Sequence, residues 1–210
     1  MPPFVPGGVI RIAPTTTVPA MDLRAWLLDA HADLRSRLDH QVIQRVPMDR
    51  WHELADNGGS STASLLLHLA RHHDLALSTA IRNKAPLYLE HAAALGLGAM
   101  SPATGLAEAE DRAATTVVAP VALPAYVNDP FDSSKRWLQR LSAMALESIP
   151  DTPRRLEQKA LLDPAGIGWL FDMWTGRNVN WFVQWPILGH AQSHLGEAVS
   201  VRNRLGLSPF

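Results

Sequence analysis

The run Ala63-Ser-Leu-Leu-Leu-His68-Leu-Ala70 is apolar on nearly every side of a helix, with one histidine at its centre. A helix of that kind has no face to offer to water, so other helices must surround it. Ser60, Ser61 or Thr62 can accept hydrogen bonds from its first amides, and the pattern continues to about Arg82. Three further long helices are expected around it. The first runs from about Asp22 to Val42, with Leu23, Leu27, Ala30, Leu34 and Leu38 as an apolar stripe flanked by His31. The third runs from about Ser133 to Ser148, with a stripe of Trp137, Leu141, Met144 or Ala145, and Ile149, and Pro150 ends it. The fourth starts near Pro186, which suits a first-turn position, and ends at Leu205 with Gly206 as a left-handed cap. No strand and no repeat is evident. The expected fold is all-α, a four-helix bundle with an insertion and extra short helices.

The connections carry most of the punctuation. Residues 1–20 hold five prolines and two glycines and read as an extended or disordered arm, leaving 21–210 as a single helical domain. Short helices are expected over Leu87–Leu95, near Leu106–Ala114 and over Arg154–Leu162. Val117–Tyr126 is β-branched but too interrupted by proline for a strand. The long connection 96–131 reads as a lid or an added packed segment. Ile167–Trp185 is rich in tryptophan and phenylalanine, which build core or line a pocket.

Composition removes several chemistries. The 210 residues contain no cysteine, which excludes thiolate ligands and a cysteine nucleophile. A metal must be held by His, Asp, Glu or solvent. A net charge of −1 gives no electrostatic basis for binding nucleic acid or anionic lipid. No run approaches the ~18 apolar residues of a membrane span, and the N-terminus lacks a secretory pattern, so a cytoplasmic protein is expected. There is no phosphate-binding glycine loop, no nucleophile elbow and no Glu-x-x-His pair for a di-iron centre.

Histidine remains. His190 and His194 lie one helical turn apart, and so do His68 and His72. Nine histidines give roughly 0.4 such pairs by chance, and this chain has two, both in apolar helical segments. A buried neutral imidazole needs partners for both ring nitrogens. A metal ion supplies one partner and a neighbouring acceptor the other. His68, His190 and His194 are therefore the candidate ligands. His72 sits in a polar cluster with Arg71, His73 and Asp74, and is expected at the surface, with a proton shuttle or alternative ligand as its functional roles. Glu197, three residues after His194, can orient a ligand, act as a general base, complete the metal shell, or face solvent paired with arginine.

Two segments carry a resemblance. Ser60-Ser-Thr-Ala-Ser-Leu-Leu-Leu-His68 resembles the second helix of the DinB/YfiT-like superfamily, a serine-led apolar run reaching one histidine. Gly189-His190-x-x-x-His194-x-Gly196-Glu197, followed by Arg202-Asn-Arg-Leu-Gly206, resembles that family's fourth helix. The resemblance covers residues 21–95 and 133–206, with 96–132 as an insertion. It implies an up-up-down-down bundle, often a homodimer, with one divalent metal, commonly zinc or nickel, on His68, His190 and His194. Members include S-transferases that use mycothiol or bacillithiol. The resemblance therefore implies a small-molecule enzyme that conjugates an external thiol to an electrophile, and the arginine-rich, lysine-poor composition suits mycothiol. A metal-dependent hydrolase using Glu197 or a histidine as base, and a non-catalytic metal-binding module serving stress response or interaction, are the alternatives.

Overall fold

The computed structural model describes residues 22–55, 58–107 and 116–209. The arm expected over 1–20, and the helix expected near Leu106–Ala114 beyond its first two residues, lie outside the described residues. Among the described residues every regular element is helical and there is no strand.

Helix α1 (Leu23–Leu38) begins at Asp22, whose carboxylate accepts from the amides of Arg24 and Ala25 at 3.0 and 3.3 Å. It buries Leu27, His31, Leu34 and Leu38, and a π-helical turn over Asp39–Ile43 extends it. His31 lies inside the buried stripe, not beside it, while Leu23 is half-exposed.

Helix α2 (Thr62–Asp74) is capped by Ser61, whose Oγ accepts from the Ser64 amide at 3.1 Å. Every residue of it but Ser64 is buried. That includes Arg71, His72, His73 and Asp74, so the polar cluster expected at the surface is interior. Each of these four side chains makes at least one hydrogen bond inside the protein. The Asp74 carboxylate accepts from Ser78 Oγ, the amides of Leu87 and Tyr88, and the Tyr126 hydroxyl. Burial still pushes its pKa upward against those bonds. A π-helical stretch, Leu75–Ile81, carries the helix to the expected end.

Helix α3 (Leu123–Leu138) starts ten residues before the expected Ser133. Pro124 sits in its first turn, where no amide is needed. Pro130 lies inside it, costing one hydrogen bond, and Leu123, Tyr126, Val127, Phe131 and Leu138 go inward. That burial outweighs the proline penalty, each such side chain contributing ~1.5–3 kcal/mol. The expected stripe persists only in part beyond Leu138: Leu141 packs half-buried against the core, but Met144 is 86% and Ile149 65% exposed.

Helices α4 (Thr152–Ala160) and α5 (Pro164–Trp174) follow. Helix α6 (His190–Arg204) is continuous with a short helix at Val179–Phe182 through a π-helical turn, Val183–Gly189. The fourth long helix thus starts at Val179, not near Pro186. Pro186 offers no amide and crowds the Phe182 carbonyl, so the regular ladder widens there. The end is as expected: Gly206 has φ +76°, and Leu207 donates to the Arg202 carbonyl at 3.1 Å.

Helix α2 packs against both α3 and α6, and α1 packs against the same two. The four long helices thereby enclose one core, and the apolar run of α2 lies against the histidine-bearing face of α6.

Candidate metal centre

Four histidines meet between α2 and α6. Ring centroids lie 4.6 Å apart for His68 and His72, 4.9 Å for His68 and His190, 4.7 Å for His68 and His194, 4.4 Å for His72 and His190, and 4.4 Å for His190 and His194. One nitrogen from each of His68, His72 and His190 lies within 4.8 Å of the other two, a spacing that can hold a metal ion. The set expected from the resemblance, His68, His190 and His194, is also brought together. His68 and His190 belong to both sets.

Hydrogen bonds fix three of the tautomers. His68 Nδ1 lies 3.0 Å from the Gly105 carbonyl, and His72 Nε2 lies 3.0 Å from the Leu106 carbonyl. A carbonyl only accepts, so His68 carries its proton on Nδ1 and His72 on Nε2. His194 Nδ1 lies 2.6 Å from the Glu197 carboxylate, which likewise accepts. The lone pairs are then on Nε2 of His68, Nδ1 of His72 and Nε2 of His194. His190 Nε2 is 3.1 Å from His194 Nε2, while His190 Nδ1 is buried with no hydrogen-bond partner.

A donor set of neutral imidazoles fits a transition-metal ion. Burial, helped by the charge of neighbouring imidazoles, lowers the pKa of His68 to about 4 and of His190 to about 3, and holds His72 well below 6.5. All three are neutral at pH 7, as ligation requires. Protein acceptors on the far side of ligating imidazoles are the usual support of such centres.

The placement of each expected residue is now clear. His72 is 4% exposed and part of the cluster, not a surface group. Its place one turn from His68 is the signal that marked it. Glu197, with its side chain more than half exposed, orients His194. The segment Pro102–Leu106 supplies carbonyls to the centre, which no side-chain pattern announces. Trp174 is fully buried beside His72, whereas Trp169 (43% exposed) lies 6.2 Å from His72 and Trp185 (42% exposed) 5.8 Å from His190. The aromatic run thus divides into core and rim.

Fold and site define an all-helical protein with a buried histidine cluster able to hold a metal ion. Among known proteins, no family model, no curated protein and no solved structure matches the chain. No helix among the described residues is long and apolar enough to cross a membrane.

Proposed function

We propose that this chain is a divalent-metal-dependent enzyme of the DinB-like type that joins a low-molecular-weight thiol, of the mycothiol class, to a small electrophile. The observation that carries the reading is the meeting of imidazoles from α2 and α6 beside two half-exposed tryptophans. His68, His190 and His194 would hold the ion, with Glu197 orienting His194. When bound, the ion supplies Lewis-acid chemistry that lowers the pKa of a thiol or water beside it. His72, whose lone pair is on Nδ1 and whose ring lies 4.4 Å from that of His190, would serve as proton acceptor. Trp169 and Trp185 offer flat apolar faces to a small substrate at the rim. The chain has no cysteine, so the sulfur must come from the cosubstrate. In the reaction a carbon–sulfur bond forms, the thiol proton leaves before attack, and the leaving group departs with its electron pair. The reading includes a homodimer.

The test is a panel of small electrophiles with mycothiol, on zinc- and nickel-loaded protein. Thiol-dependent product formation that stops on chelation supports the reading. Turnover without thiol would replace it with hydrolysis. A second reading has its own support: with His72 as a ligand, four imidazoles make a closed site of the structural kind. In that case the metal binds tightly and no electrophile turns over.

A further inference from the structure

Helix α2 does more than present histidines. Three of its residues on one side, His68, Arg71 and His72, reach the backbone of a single short segment. Arg71 Nε donates to the Thr104 carbonyl at 2.9 Å, and a terminal nitrogen of Arg71 donates to the Pro102 carbonyl. His68 and His72 then take the Gly105 and Leu106 carbonyls. The guanidinium is fixed from its other side by the Tyr88 ring, 3.5 Å from its carbon. Gly105 makes the close approach possible. Its φ is +83°, and a Cβ there would lie 2.9 Å from Arg71 Cγ and 3.1 Å from Leu67 Cγ.

We infer that the segment Pro102–Leu106 is a carbonyl strap, drawn onto α2 by Arg71, that sets opposite tautomers in His68 and His72. Arg71 is thus a positioning residue for the metal centre, one fork holding the Pro102 and Thr104 carbonyls just before the pair bonded by the histidines. The consequence is specific: the lone pair left for a metal is on Nε2 in His68 and on Nδ1 in His72, two different nitrogens from residues one turn apart. The inference rests on the metal-centre reading for its role, but the tautomers themselves need no metal.

The test is long-range proton–nitrogen correlation NMR on metal-free full-length protein near pH 7.5. The expected spectrum shows His68 protonated on Nδ1 and His72 on Nε2. Either ring in the other tautomer, or averaging between the two, overturns the strap. Arg71→Met and Gly105→Ala are the companion variants, the second leaving every side chain of α2 intact. In a variant that keeps its circular dichroism, the tautomer signals of both rings should average and zinc affinity fall ~10–100-fold. Folded Arg71→Met protein with both tautomers and wild-type affinity contradicts the positioning role. Correct tautomers in a wild-type protein that binds no metal would keep the strap and remove the metal-centre reading.

Discussion

His190 and His194 face each other through their Nε2 atoms at 3.1 Å, one turn apart on α6. Glu197 keeps the His194 proton on Nδ1, so a lone pair stands at that meeting. Either His190 places a proton between the nitrogens or a cation lies against both. Two nitrogens at corners of a tetrahedral zinc site, with bonds of about 2.0–2.1 Å, stand roughly 3.3 Å apart. The observed spacing is close to that edge, and the orphaned Nδ1 of His190 marks the same ring as poised for a further partner.

Glu197 should matter to the metal and not to the fold. Its side chain is more than half exposed, and its part in the centre is one hydrogen bond to His194. Glu197→Ala is expected to lower zinc affinity ~10–100-fold in a chelator competition with unchanged thermal unfolding of the metal-free protein. Unchanged affinity would mean that the carboxylate is only a solvated neighbour.

His72→Ala separates the open from the closed centre. If His72 accepts a proton, the variant keeps about one metal per chain and loses turnover by ~10²–10⁴-fold. Loss of the metal instead would make His72 a ligand and favour the structural reading.

Gly189 is fixed by its surroundings. A Cβ there would lie 2.8 Å from the Gln184 carbonyl oxygen and 3.2 Å from the Trp185 ring. Gly189→Ala should therefore cost about 1–3 kcal/mol of stability and shift the tryptophan emission, as backbone and indole move apart. Denaturant unfolding followed by fluorescence checks both. A variant as stable as the wild type, with the same emission, would show that the turn before His190 has slack.

Acid should unfold the metal-free protein early. Burial holds His31 neutral, with its pKa lowered to about 4 from 6.5, and its Nε2 lies 2.6 Å from Ser134 Oγ. His73 shares that hydroxyl at 2.9 Å and is also held well below 6.5 by burial. In this window the unfolded chain binds more protons than the folded one, so stability is full above pH 6.5 and is lost as pH falls toward 4. His31 alone contributes on the order of 3 kcal/mol. Thermal melts of chelated protein from pH 7.5 to 4 should show a steep fall that His31→Asn reduces. A flat profile over that range contradicts the burial of these rings.

What the sequence disclosed depended on how local each signal is. The serine cap and all-round apolar run of α2, and the glycine end of α6, are patterns within single helices, and the structure follows them. Helix α3 begins ten residues before its apolar pattern is legible, and tertiary burial of Tyr126, Val127 and Phe131 carries it through Pro130. Pro186 suits a helix start, yet the chain passes it inside a helix by widening to a π-helical turn. The histidines were legible as pairs at helical spacing. The buried place of His72 was not, because its polar neighbours Arg71 and Asp74 are bonded to carbonyls, amides and a hydroxyl from distant segments. Backbone partners leave no trace in side-chain composition.

The central claim is that the histidine cluster is a metal centre, and metal content tests it most directly. The measurement is inductively coupled plasma mass spectrometry on untagged wild-type protein and on His68→Ala, His190→Ala and His194→Ala. The account predicts about one divalent ion per chain in the wild type and its loss in all three variants while the helical signal persists. A folded wild type that holds no stoichiometric metal, even after incubation with zinc or nickel, would make the four rings core residues and contradict the account.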